Sequence, residues 1–315
     1  MTRAETAAFL REHDNYCILT HRRPDGDTIG SSAALCLALR TLGKTAWLLR
    51  NPQFTPRFAA VLEGLVCEDV PDEATIVSVD VAAPDLLPIG YESLAERVAL
   101  VIDHHARSSV PAERRLVEAE RAACGEIIFG LLGQLGISPD RRMAEAVYIA
   151  ISTDTGCFQY SNTTADTLRI AAACCDAGAQ TYPINKLFFG TKSFARLRLE
   201  ARLTNSVELY AGGKVAVACL PQAWLDELGA GEDDVDSIAG YPRSIEGVEL
   251  GVTIRDVEGG KGKISLRTGQ SYDACALCRE LGGGGHAAAA GATVDGGIEG
   301  AKRAILDVLR RKGIV

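Results

Sequence analysis

No apolar run in this chain approaches the roughly 20 residues that a membrane-spanning helix requires. The first residues, Met1 to Thr6, carry no apolar secretion segment. A cytoplasmic protein with no membrane partner is therefore expected. Basic charge is also in short supply, with 33 Lys and Arg against 41 Asp and Glu and a net charge of −8. Proteins that grip long duplex DNA by its phosphates present a basic surface. The balance argues against long duplex DNA and for a short anionic substrate. The deficit lies at the front: residues 1–185 hold 16 Lys and Arg against 24 Asp and Glu, whereas residues 186–315 hold 17 of each. Disulfide-like cysteine spacing is missing too. Ten cysteines are scattered along the chain, as expected of reduced thiols acting as small apolar residues. The lone CxxC, Cys275-Ala276-Leu277-Cys278, lacks the second pair of a zinc site. Its two cysteines share one helix face and read as structural.

Histidine is scarce as well, at five residues, and its placement is informative. His104 and His105 stand in Asp103-His104-His105, directly after the apolar run Val98 to Ile102. His21 opens His21-Arg22-Arg23-Pro24-Asp25-Gly26-Asp27, and His286 ends a run of glycines. His13 is left over. Two further carboxylates end apolar segments, Asp80 after Val79 and Asp154 in Thr153-Asp154-Thr155-Gly156. Polar groups of this kind are costly to bury unless something pairs with them. Together the clusters offer more oxygen and imidazole ligands than one metal ion needs, which is the inventory of a two-metal hydrolase. Each part also has a plainer reading taken alone: a polar loop capping a helix at 21–27, a helix cap at Asp80, an ordinary turn at Asp154.

With 315 residues, 47% hydrophobic and 23% charged, the chain is long enough for two globular domains. In the first half, strand-like segments (15–20, 44–49, 74–79, 98–102) alternate with helix-like ones (28–42, 122–135, 143–152). This predicts an α/β domain with a parallel sheet and helices on both faces. Ligands of such sheets bind beyond the carboxyl ends of the strands, where three of the four clusters fall. Residues 164–177 read as a further helix. A long amphipathic stretch at 192–210 is expected to connect to a second, smaller α/β domain. There, strands at 215–220, 248–257 and 261–268 and helices at 273–281 and 298–311 are expected, with a hairpin turn at 258–262. Gly282 to Gly285 lets backbone approach a ligand closely, and its N–H groups could cradle an anion, with His286 as an added donor. A flexible linker is the alternative. Arg255 and Arg267 end the hairpin strands, and a guanidinium fork suits phosphate, although each alone also fits a solvated strand position.

At these residues the chain resembles the DHH phosphoesterase superfamily nearly end to end. The shared motifs are His21 to Ser31, Asp80, Asp103-His104-His105, and Asp154 within Thr153 to Thr163. The C-terminal part resembles the DHH-associated domain in Ser265 to Thr268, Gly282 to His286 and Ala289-Ala290-Gly291. Length and layout are most similar to the nanoRNase/pAp-phosphatase, NrnA-like, branch. One departure follows the DHH triplet, where many relatives have an asparagine and this chain has Ala106-Arg107-Ser108-Ser109.

The resemblance implies a manganese-dependent enzyme, with magnesium as second choice, that cleaves short RNA or DNA oligonucleotides or takes the 3′-phosphate from 3′-phosphoadenosine 5′-phosphate (pAp). His21 and Asp25 would hold one ion. Asp27, His104 and Asp154 would hold the other, and Asp80 would bridge both. Asp103 would orient an imidazole, and His105 would contact the scissile phosphate or leaving oxygen. Arg107, Arg255, Arg267, Gly283, Gly284, Gly285 and His286 would bind substrate. The expected division is a DHH catalytic domain at 1–185, a helical linker and hinge at 186–205, and a substrate-binding domain at 206–315. Hydrolysis of dinucleotides such as pApA, or of pyrophosphate or polyphosphate, is the enzymatic alternative. A nucleotide sensor without activity is the non-enzymatic one. A homodimer is allowed.

Overall fold

The computed structural model describes every residue except Asp236, Ser237 and Gln270. The chain forms two compact units, Met1–Thr191 and Lys192–Val315.

The first unit is built on six parallel strands: β1 (Tyr16–Leu19), β2 (Ala46–Leu49), β3 (Val66–Cys67), β4 (Thr75–Val79), β5 (Val98–Asp103) and β6 (Arg114–Val117). Their order is β3-β2-β1-β4-β5-β6. The central strands β1, β4 and β5 are apolar and buried, as strands covered on both faces must be. One face carries α1 (Arg3–Glu12), α2 (Gly26–Thr41), α3 (Ala59–Leu62), α4 (Cys124–Gln134), α5 (Arg141–Asp154), α6 (Ala165–Asp176) and α7 (Thr181–Asn185). Fully buried side chains such as Ile18, Ile29, Leu35 and Leu48 fill that core, each contributing roughly 1.5–3 kcal/mol.

The other face differs from expectation. No α-helix covers it among the described residues. Short 3₁₀ turns at Pro84–Leu86 and Glu92–Arg97 do so, with Val81, Leu87, Leu94 and Val110 packed beneath. Pro84, Pro88 and Gly90 interrupt this crossover, and a helix cannot run through them.

Helices α2 and α5 run antiparallel and very close. A β-carbon on Gly30 would lie 2.3 Å from the Ala146 carbonyl oxygen, and one on Gly26 would lie 2.4 Å from the Thr153 side chain. Only glycine permits that approach, which sets the start of α2 against the end of α5.

The second unit holds a mixed sheet of β7 (Glu208–Tyr210), β8 (Val215–Leu220), β9 (Leu250–Val257), β10 (Lys261–Thr268), β11 (Gly284–Gly285) and β12 (Ala289–Asp295), in the order β11-β12-β10-β9-β8-β7. β8 and β9 are parallel and the remaining pairs antiparallel. α11 (Ala274–Arg279) and α12 (Gly297–Arg311) cover one face, with Cys275 and Cys278 in that core. All ten cysteines are free thiols.

The stretch 186–205 is not one connecting element. Lys186–Gly190 forms a π-helical turn within the first unit. α8 (Phe194–Asn205) packs Leu199 and Leu203, one turn apart, against Ala218, Leu220 and Leu225 of the second unit, beside α9 (Gln222–Leu228) and α10 (Glu232–Val235).

Candidate metal centre

Because β1, β4 and β5 are parallel neighbours, their carboxyl ends lie side by side on one edge. β1 leads into the loop with His21 and Asp25. Asp80 directly follows β4, and β5 ends at Asp103, with His104 and His105 just beyond it. The α2–α5 contact brings Asp27, in the first turn of α2, near Asp154, the last residue of α5. The clusters at the strand ends and the turn carboxylate thus meet at one place.

Two ligand sets result. In His21, Asp25 and Asp80, one potential ligand atom from each lies within 4.8 Å of the others, and the same holds for Asp27, His104 and Asp154. His21 Nε2 is 3.5 Å from Asp25 and 3.9 Å from Asp80. His104 Nε2 is 3.7 Å from Asp27, 3.6 Å from Asp154 and 3.5 Å from Asp80. Asp80 thus stands between the sets. A third grouping joins Asp80, His104 and His105.

The carboxylates are held in different ways. Asp25 is the N-cap of α2 and accepts from the N–H groups of Asp27 and Thr28. Asp27 is buried and accepts from the N–H groups of Cys124 (2.6 Å) and Gly125 (3.0 Å) and from the Ser31 hydroxyl (2.8 Å). Asp80 is 2% exposed and sits in the left-handed region at φ 60°. Its Oδ1 is buried with no hydrogen-bond partner. Leaving a carboxylate oxygen in that state is costly, and a bound cation would relieve the cost.

The charges are equally strained. Burial, and then the charges of Asp27, Asp25, Asp154 and Asp103, push the Asp80 carboxyl well above its usual range. Burial and Asp27 push Asp154 up to about 8. Burial lowers His104, but Asp27 and Asp154 outweigh it and raise the imidazole. Divalent cations favour the ionised carboxylates and remove the mutual repulsion. The donor set is oxygen and imidazole. Cys124 lies close by, but burial and then Asp27 and Asp80 push its thiol well up, so it stays protonated. The residues therefore fit a hard divalent ion.

The triplet divides its labour. Asp103 is fully buried, and its Oδ1 accepts from the N–H groups of His104 (2.8 Å) and His105 (3.1 Å) and lies 2.7 Å from His105 Nδ1. Burial raises Asp103, but hydrogen bonds from His105 and Ser108 outweigh it and hold the carboxyl low. The imidazole that Asp103 orients is thus His105. The Nδ1 of His104 faces the Arg121 carbonyl instead, at 3.1 Å.

Other expected residues are not members of these ligand sets. Arg107 is exposed, two positions past His105. In the second unit, Arg255 pairs with Lys263, whereas Arg267 pairs with Gly251 and Ala289. The two arginines share a sheet face but lie four residues apart along it, roughly 14 Å. The glycine run is not an open loop: Gly284 and Gly285 form β11 against Gly291 and Ala290. The Gly283 N–H donates to Cys278 and that of His286 to Ala289. A β-carbon on Gly283 would lie 2.1 Å from the Gly291 carbonyl oxygen. Part of the run is glycine for chain packing. The side chain of His286 is exposed.

Sequence reasoning gave no role to the backbone of Arg121, Cys124 and Gly125 or to Asn162. Backbone groups leave no signature in residue type.

Residues 15–151 match the DHH family N-terminal domain, and residues 212–312 match the DHHA1 domain. The chain is 34% identical over 299 residues to the bifunctional oligoribonuclease and PAP phosphatase NrnA of Thermus thermophilus, covering 94% of this chain and 89% of that protein. A Bacillus subtilis protein of the same name is 24% identical over 288 residues, with 90% of each chain covered. Among solved structures, an exopolyphosphatase-related protein of Bacteroides fragilis shares the fold, with a TM-score of 0.88 at 23% identity over 98% of this chain and 96% of that one. A parallel-sheet domain with an Asp/His cluster for divalent metal, followed by a DHHA1 domain, defines a metal-dependent phosphoesterase of the DHH type. The chain belongs to the DHH family, in its NrnA-like branch. No described helix is long and apolar enough to cross a membrane.

Proposed function

We propose that this chain is a manganese-dependent two-metal phosphoesterase that hydrolyses short oligonucleotides and removes the 3′-phosphate of pAp. The observation that carries the reading is the pair of three-residue ligand sets with Asp80 between them, in a chain similar to a Thermus protein named for both activities. His21 and Asp25 would hold one ion, Asp27, His104 and Asp154 the other, and Asp80 would serve both. Ions bound there supply Lewis acidity to the phosphoryl oxygens and make water more acidic. Asp103 fixes the Nδ1 side of His105, so that Nε2, when the ring is in its imidazolium form, can meet the phosphate or give its proton to the leaving oxygen. Asp103 and His105 are thus the positioning and catalytic members of one pair. Substrate binding falls to Arg107 in the first unit and to Arg255, Arg267, Gly283, Gly284, Gly285 and His286 in the second. Neither the net charge of −8 nor the zero balance of residues 186–315 provides a basic track for a long strand, so short substrates are preferred. A cytoplasmic location suits these substrates.

A product assay with manganese on pAp, pApA, RNA two- to five-mers and pyrophosphate tests this. Turnover of pAp and the short RNAs is expected. Turnover of pyrophosphate alone would replace the reading with a pyrophosphatase, and saturable binding without turnover would replace it with a sensor.

A further inference from the structure

One five-residue stretch, Arg121 to Gly125, contacts His104 and Asp27 directly and reaches the backbone of Asp154 through Asn162. The Arg121 carbonyl meets His104 Nδ1 at 3.1 Å. The N–H groups of Cys124 and Gly125 donate to the two oxygens of Asp27. The amide of Asn162 donates to the carbonyl of Ala122 at 3.1 Å and to that of Asp154 at 3.2 Å, and so fastens the end of α5 to the same stretch. The stretch is itself anchored. Arg121 donates to Glu118 at 3.0 Å and lies 3.5 Å from Asp166 and 3.8 Å from the buried Glu126. Glu126 in turn accepts from Thr167 of α6 at 2.5 Å.

The other set has a different support, the buried Thr28. Thr28 accepts from the His21 N–H at 3.4 Å, donates its own N–H to Asp25 at 3.1 Å, and donates its hydroxyl to the carbonyl of Val79, beside Asp80, at 2.9 Å. His21 Nδ1 meets the carbonyl of the next residue, Arg22, at 2.8 Å. Each set is thus held from its own segment.

We infer that residues 121–125 and Asn162 form a positioning element that presets Asp27, His104 and Asp154, and so serves one of two cation sites and not the other. Ligands ordered before binding lose less freedom when the ion arrives. A carbonyl at His104 Nδ1 also fixes the tautomer whose Nε2 lone pair faces the carboxylates. Asn162 is the member whose role rests wholly on its side chain. It is exposed, so its replacement should spare the fold.

The inference rests on the two-metal reading, and manganese binding without substrate separates the two. Titration followed by electron paramagnetic resonance should give two bound ions in the wild-type chain. One ion or none would overturn the two-metal reading itself. Asn162→Ala should weaken one ion by about tenfold, the lower end for outer-sphere ligand supports, and leave the other ion and the metal-free melting temperature unchanged. Asn162→Asp keeps the size, removes the donor and sets an acceptor against two carbonyls. It should weaken the same ion at least as much. In an Asp25→Ala background, which disables the other set, the remaining ion should show the full Asn162→Ala loss. No loss, equal loss at both ions, or no loss at the ion that remains in the Asp25→Ala background would overturn the positioning role. If Asn162→Asp does not fold, the alanine pair alone decides.

Discussion

The two units place their chemistry-bearing residues in opposite ways. In the first, His21, Asp80, His104 and Asp154 come from widely separated positions and meet within a few ångströms. In the second, Arg255 and Arg267 stand four residues apart on one sheet face, and the glycine run is a paired strand. Topology explains the contrast. Parallel strands all point their carboxyl ends to one edge, so a residue after each strand joins the others there. Antiparallel strands send successive ends to opposite edges, so residues at strand ends diverge. Convergence is built into the first architecture and not into the second.

The sharpest test of this contrast is Asp80→Asn. The amide keeps the size but loses the charge shared by both ligand sets. Turnover should fall by at least about 10³-fold, in line with the several kcal/mol that metal catalysis provides, while the fold persists. Near-normal kinetics in the purified variant would remove Asp80 from between the ions.

A pair of glycine variants separates packing from function in the second unit. Gly283→Ala puts a methyl group against the Gly291 carbonyl, whereas nothing lies within 4 Å of a β-carbon at Gly284. Denaturant unfolding should show a loss of about 1–3 kcal/mol for Gly283→Ala and a much smaller change for Gly284→Ala. Equal losses would mean that the run is not packed as described.

The charge cluster predicts a pH trend for the metal-free chain. The Asp154 carboxyl titrates near 8 in the folded chain against an ordinary 3.8, and His104 is also raised. A raised group favours the folded state while protonated, so this stability is complete at low pH and is lost as pH climbs toward 8. The melting temperature of metal-free protein should fall between pH 5 and 8, and manganese should flatten the trend. A rise with pH would show that the carboxylates are not repelling one another.

The smallest expected effect is that of His286→Ala, a rise in KM of about tenfold, the loss of one charge-assisted contact, with kcat and bound manganese unchanged. Release of manganese from that variant would break the division between the two units.

The sequence was most legible where an apolar run ended in a group with distinctive chemistry. Thus β1, β4, β5 and the side chains of His21, Asp25, Asp27, Asp80, His104 and Asp154 could be named in advance. The edge strand β6 was not, because Arg114-Arg115-Leu116-Val117 is half charged, and two-residue β3 is too short to carry a pattern. The helix expected on the second sheet face failed because Pro84, Pro88 and Gly90 break that crossover. Within the cluster, the Arg121 carbonyl and the N–H groups of Cys124 and Gly125 act through atoms that every residue possesses. The assignment of Asp103 to His105 depended on geometry that three adjacent letters do not contain.

Asp80 carries one further consequence. It is a residue with a side chain held in backbone territory that glycine occupies at no cost, and its Oδ1 is buried without a hydrogen bond, amid the charges of Asp27, Asp25, Asp154 and Asp103. Each feature costs of order 1–3 kcal/mol. Selection for heat resistance alone would drive this position toward glycine or asparagine and deliver a sturdier, inert protein. Asp80 thus marks where durability and turnover pull the sequence in opposite directions, and an inert Asp80→Asn chain is a natural vehicle for trapping an uncleaved substrate.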